Sequence, residues 1–267
     1  MKNLKLYLES LLDDEDDLTQ SANIILVKNE ISKIYKTWGA LNIRKEGTKY
    51  IVDVKGNVFL RANSARTITR LTNDMYVFGK VDGNFDCRGC ANLESLEGAP
   101  RECKDFICDN CPKIKTLIGA PQKCNKLYCR YCTNLESLEG APQKCYVFLC
   151  MHTKIKSLKG APQKCYTDFW CSSCDNLESL EGAPQKCGTF SCSNCEKLTS
   201  LKGAPQDCKK IYCDNCRSLK SLKGCPKNIG ELICLDCPNL TDLDGLDGIA
   251  EVGTRPRYLD DQDDYNI

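Results

Sequence analysis

The stretch Cys129-Arg-Tyr-Cys132-Thr-Asn-Leu135-Glu-Ser-Leu138-Glu-Gly140-Ala-Pro142-Gln-Lys-Cys145 decides how this chain folds. Variants of it recur from about residue 82 to residue 248. Gly-Ala-Pro begins at Gly98, Gly119, Gly140, Gly160, Gly182 and Gly203, and Gly-Cys-Pro begins at Gly224. The steps between them are 21, 21, 20, 22, 21 and 21 residues. A fixed period of this size marks a solenoid, whose turns bury a core only against their neighbours.

Each turn has one grammar, spelled out by Cys103-x-x-Phe106-x-Cys108-x-x-Cys111-x-x-Ile114-x-x-Leu117. Phe106 and Cys108, two apart, are predicted to point inward from a short strand. Cys111 begins a bend, and Ile114 and Leu117 fill the core from the return path. Gly-Ala-Pro keeps that path extended, because proline fixes φ and lacks a donor. The grammar resembles the leucine-rich-repeat family over roughly residues 57 to 248, with cysteine at several leucine places. It is similar to short bacterial and bacteriophage varieties built on Leu-x-Ser-Leu-x-Gly-Ala-Pro units. The resemblance implies short parallel strands on a concave face, an irregular extended convex side, and protein binding on the concave face.

The repeats leave three flanking segments. Residues 1–20 read as a short helix followed by the acidic run Asp13 to Asp17, and residues 249–267 as an acidic tail containing Asp260 to Asp264. Residues 21–56 read as a helix/strand cap. Ile24, Val27, Ile31, Ile34 and Trp38 share one face of a helix over about 22–38, capped by Ser21. Tyr50 to Val54 and Val58 to Leu60 read as two short strands about a turn at Gly56. Leu60-Arg-Ala-Asn63 aligns with Cys87-Arg-Gly-Cys90, so residues 57–83 read as a longer, degenerate first turn, with eight clear turns after it.

A net charge of +1 gives no reason to expect nucleic acid or a membrane surface as partner. No apolar run approaches the roughly 18 residues of a membrane span. Residues 1–12 lack the features of a signal peptide, so a cytoplasmic location is expected, the host cytoplasm if the chain is phage-encoded. The 22 cysteines all follow residue 86 and fall at repeated phases. Cys108-x2-Cys111 and Cys129-x2-Cys132, separated by 17 residues, have the spacing of a zinc site. In a solenoid, however, the same pairs stack into columns about 4.8 Å apart, which disulfides could also bridge. The reading adopted is stacked free thiols that pack the core, with no metal and no cofactor.

The outward residue of each strand runs Asp86, Ile107, Tyr128, Leu149, Trp170, Ser191, Tyr212, Ile233. Tyr128, Arg130, Tyr131, Leu149, Met151, His152, Trp170 and Tyr212 are therefore the candidate protein-binding residues, since Tyr, Trp and Arg dominate interface energetics. The competing account is ordinary cross-strand packing of aromatics. The period slips at this place, losing a residue after Cys150 and gaining one between Cys165 and Cys171, which predicts a bulge. His152 is the single histidine. A dyad with Cys150 would need an acidic orienter and an oxyanion motif, and none accompanies it, so no enzyme is expected. On the return path, Glu94/Glu97, Lys115/Ile118, Glu136/Glu139, Lys156/Lys159, Glu178/Glu181, Thr199/Lys202, Lys220/Lys223 and then Asp242/Asp244 put opposite charges side by side over most of the stack and are read as setting register between turns. The functional expectation is a non-enzymatic protein-interaction module. Its rival is a structural assembly part using the solenoid as a rigid spacer.

Overall fold

A computed structural model describes residues 19–60, 62–227 and 229–244, apart from the side chain of residue 63. The expected helix over 2–12, the acidic run 13–17 and the tail 249–267 lie outside the described residues. The described chain is a β-solenoid preceded by one short N-terminal helix. Its strands are β1 (Tyr35–Glu46), β2 (Lys49–Leu60), β3 (Tyr76–Val81), β4 (Phe85–Asp86), β5 (Asp105–Ile107), β6 (Lys126–Tyr128), β7 (Lys144–Leu149), β8 (Lys164–Trp170), β9 (Lys186–Ser191), β10 (Asp207–Tyr212) and β11 (Glu231–Ile233). They form one 11-stranded sheet in the order β1-β2-β4 to β11, with β3 pairing β2 off that path. From β2 onward all pairs are parallel, which a coil repeating one turn requires.

The inward column Phe85, Phe106, Leu127, Phe148, Phe169, Phe190, Ile211 and Leu232 stacks in register and is fully buried. These residues step by 21 throughout, so the 20- and 22-residue spacings cancel within the strands, before the inward column. The cancellation is visible as register shifts between Cys145 and Val147 and between Lys164 and Asp168, where the expected bulge lies. Eight strands, β4 to β11, bound seven complete turns. The sequence count of eight includes a last turn beginning at Cys234, which is described only to residue 244.

The return path explains the rest of the grammar. Ala99 N–H donates to Leu96 O at 3.0 Å, and the same bond recurs as Ala120 to Leu117 and Ala141 to Leu138. With φ near +90° at the intervening glycine, each is a type II turn, for which glycine is the natural third residue. A Cβ on Gly140 would also lie 2.3 Å from Leu117 O of the previous turn. The serine of Leu-x-Ser-Leu-x accepts a backbone N–H two residues on, as Glu97 to Ser95 and Glu139 to Ser137. Leu93, Leu96, Ile114, Leu117, Leu135 and Leu138 are all fully buried beneath these turns. Of the expected charge ladder, the Lys159–Glu181 ion pair forms at 3.2 Å, and Glu94 meets Lys113 instead of Lys115.

All 22 cysteines are free, and all but Cys234 and Cys237 are buried. Their thiols bond from turn to turn. The first of most pairs donates onward, as Cys108 to Tyr128 O (3.3 Å) and Cys171 to Ser191 O (3.3 Å). The second donates backward to the carbonyl of the first, as Cys132 to Cys108 O (3.1 Å) and Cys216 to Cys192 O (3.2 Å). Cysteine thus supplies a small apolar body and a weak donor that leucine lacks. In the third column, neighbouring sulfurs come to 3.5 Å at Cys145–Cys165 and 3.3 Å at Cys187–Cys208, as thiols.

The N-terminal cap differs from expectation in two places. A helix α1 occupies 19–34, not 22–38, with Ser21 inside it. Val27 and Ile31 are buried, whereas Trp38 stands exposed on β1 over Phe59. The helix stops where Tyr35 takes Leu60 as its strand partner, and Tyr35 packs edge-on to Phe78. The stretch expected as two strands about Gly56 is one 12-residue strand, and the hairpin turn falls at Gly47-Thr48. Gly56 instead faces Gly39 across the hairpin; a Cβ on either would lie 1.7 or 1.5 Å from a backbone oxygen opposite. The end of β2 then serves as the first rung, Val58–Phe59 pairing with Phe85–Asp86.

Candidate functional site

The strand–bend segment of each turn carries three outward columns, and they change character along the stack. Tyr128, Leu149 and Trp170 are register partners on β6, β7 and β8. Tyr128 and Leu149 are half-buried, and Trp170 is 38% exposed. Two residues further on lie Arg130 and half-buried Met151. Beyond them Tyr131 and His152 stack face to face, with centroids 4.4 Å apart and planes within 8°. These seven residues occupy three consecutive rungs. Tyr212, the eighth candidate, lies two rungs beyond Trp170, with buried Ser191 between them, so the apolar surface is interrupted there.

Tyr131 and His152 belong to a backbone column that the sequence did not disclose. Gly89, Asn110, Tyr131, His152, Ser173, Asn194, Asn215 and Asp236 all have φ between 52° and 74°. The bend between the paired cysteines needs this left-handed conformation, which Gly, Asn and Asp adopt cheaply. Histidine shares part of that tolerance, but a tyrosine adopts it at a cost of order 1–3 kcal/mol, and strain of that kind concentrates at functional positions.

Arg130 is held rather than free. Its Nη2 lies 2.7 Å and its Nε 3.0 Å from Asp109 Oδ2, and its backbone N–H donates to Asp109 Oδ1 at 2.7 Å. Its guanidinium also lies 5.6 Å from the Tyr128 ring centroid. Burial works against the guanidinium charge, but the hydrogen bond and charge of Asp109 outweigh it and hold the pKa above its ordinary value. Asp109 is itself almost fully buried, so Arg130 compensates a charge as well as shaping the face.

Cys150 and His152 do not form a pair. Cys150 is fully buried with its thiol on Trp170 O at 3.6 Å, whereas His152 is exposed against Tyr131. Thr153 takes the place of Cys132 one turn on, its hydroxyl donating to Cys150 O at 2.9 Å. Among the described residues no three His, Cys, Asp or Glu side chains converge to hold a metal ion, and no helix is long and apolar enough to cross a membrane.

No protein-family model, curated protein or solved structure matches the chain. One feature of the face was missed from sequence. Tyr146 and Tyr166, 52% and 50% exposed, lie at the start of β7 and β8 with ring centroids 5.2 Å apart. The signal was present: Lys-Cys-Tyr occurs at 144–146 and 164–166, where neighbouring turns have Asn125 and Gly188. With Leu149, Met151 and Trp170 they make β7 and β8 the most aromatic and apolar part of the outward face.

Proposed function

We propose that this chain is a non-enzymatic interaction module of the leucine-rich-repeat type, which binds a protein or peptide on the central outward strand face. The observation that supports this most is the Tyr131–His152 stack in the left-handed column, with Tyr131 strained there, beside the half-exposed Tyr128–Leu149–Trp170 column. Strain at a bend that Asn or Gly would fill without it is accounted for by use of the side chains. Exposed apolar surface centred on Trp and Tyr is the composition of interface hot spots. Arg130, fixed by Asp109 over Tyr128, would present its guanidinium edge to a partner carbonyl or carboxylate at little entropic cost.

The test is capture of a partner, then titration of that partner against wild type and the Tyr128→Ala/Trp170→Ala variant. Arg130 is avoided, since its removal strands buried Asp109. Binding weakened tenfold or more by the double substitution is the expected result. Equal affinity overturns the reading. Self-assembly without any partner supports the rigid-spacer alternative instead.

A further inference from the structure

A second surface lies at the other end of the same strands. Lys123, Lys144, Lys164 and Lys186 occupy one repeat position, just before the third cysteine column, and all are exposed. Lys144, Lys164 and Lys186 are direct register partners in the parallel ladder. Like charges in adjacent rungs repel, and on the return path the turns from Glu94/Glu97 to Glu178/Glu181 alternate in sign. The row is closed at both ends by carboxylates in register: Glu102 beside Lys123, and Asp207 on Lys186 at 2.6 Å. Among the described residues no ion pair engages Lys123, Lys144 or Lys164. A 310 Å³ cleft opens between Gln122, Lys123, Asn125, Gln143 and Lys144, with Glu102 at its edge. The Tyr146–Tyr166 pair borders the row two residues along β7 and β8.

We propose that this lysine row is the docking site of the chain's own acidic segment Tyr258-Leu-Asp-Asp-Gln-Asp-Asp-Tyr265, which lies outside the described residues. The charges match: four carboxylates at Asp260, Asp261, Asp263 and Asp264 face three unpaired ammonium groups and a fourth shared with Asp207. The lengths match too. Five extended residues span roughly 17 Å, and three rung steps from Lys123 to Lys186 span roughly 14 Å. The tether suffices, since the sixteen residues from 244 to 260 reach roughly 55 Å, against roughly 24 Å for the five rungs from β11 back to β6. Tyr258 and Tyr265 flank the acids in the sequence, as Tyr146 and Tyr166 border the lysine row. A nucleic acid fits less well, because a phosphate chain running past the row would meet Glu102 and Asp207. The proposal goes beyond partner binding and shares with that face only its border, Tyr146 and Tyr166.

The test is zero-length carbodiimide cross-linking of the full chain, using mixed light and isotope-labelled protein to separate links within a chain from links between chains. Amide links from Asp260–Asp264 to Lys123, Lys144 or Lys164 within one chain are expected at low salt, and their loss at high salt. In parallel, neutralising the segment (Asp260→Asn, Asp261→Asn, Asp263→Asn, Asp264→Asn) should speed acylation of Lys144 and Lys164 severalfold, leaving Lys197 and Lys223 unchanged. The proposal is overturned if the segment links equally to Lys209, Lys223 and Lys227, or only between chains. It is also overturned if the row links to Asp13–Asp17 instead, or if acylation does not change. Tight binding of a single-stranded oligonucleotide to the unmodified chain would equally overturn it.

Discussion

Thr153 is the turn's own experiment on what its cysteines are for. It replaces a thiol by a hydroxyl, keeps a donor on the Cys150 carbonyl, and accepts or donates to Cys174 Sγ at 3.2 Å. The donor is therefore a requirement at this position as well as the volume. Cys132→Thr should cost less than about 1 kcal/mol, whereas Cys132→Val, of the same shape as threonine, should cost about 1–3 kcal/mol because it strips the Cys108 carbonyl of its donor. Urea unfolding midpoints of the two variants check this, and equal losses would count against a role for the donor. Tyr131 offers the complementary case. Tyr131→Asn exchanges a ring stack worth about 0.5–1.5 kcal/mol for relief of left-handed strain of similar size. Stability should then stay within about 1 kcal/mol of wild type while partner binding falls. Loss of both together would mark the stack as structural.

At the scale of elements, the N-terminal hairpin carries the heaviest single constraint. Gly39 (φ 122°) and Gly56 (φ 149°) face one another, and each leaves room only for the backbone oxygen opposite. Gly56→Ala should cost on the order of 3 kcal/mol through overpacking and an unfavourable φ, read as a lowered thermal midpoint. Retention of the wild-type midpoint would mean that β1 detaches without consequence for the stack. The hairpin was misread from sequence because Gly56 in an apolar run signals a turn locally. Only the partner strand, contributing Gly39, makes it a close crossing. Similarly the helix pattern Ile24 to Ile34 runs on in phase to Trp38, and nothing local reveals that Tyr35 is claimed by Leu60.

For the whole molecule, the thiol-filled core predicts an unusual response to pH. Burial pushes the Cys103 thiol up to about 12, and burial likewise raises the thiols of Cys87, Cys150 and Cys171. A thiol whose folded pKa exceeds its unfolded value contributes its full stability below about pH 8.5 and loses it as pH rises toward the folded value. Each fully buried thiol removes up to about 1.4 kcal/mol per pH unit across that window. With so many acting together, cooperative unfolding is expected between about pH 9 and 11, followed by circular dichroism and thiolate absorbance. Thiols titrating while the sheet is intact would contradict the burial argument.

Period and grammar were legible in the sequence because a solenoid repeats one local problem: what points in, what bends, what returns. Phe106, Cys108, Ile114 and Leu117 were placed on that basis, as was the column running through Tyr128, Leu149 and Trp170, whereas Gly-Ala-Pro, expected to be extended throughout, has its glycine inside a type II turn. Contacts between turns were not legible, because they join residues about 21 apart whose geometry depends on how the rungs register. The left-handed column beneath Tyr131 and His152, the thiol-to-carbonyl ladders, the Asp109 anchor of Arg130 and the unrelieved lysine row arise only when one turn is laid on the next. Sequence determined the shape of a rung; stacking determined which neighbours each side chain meets.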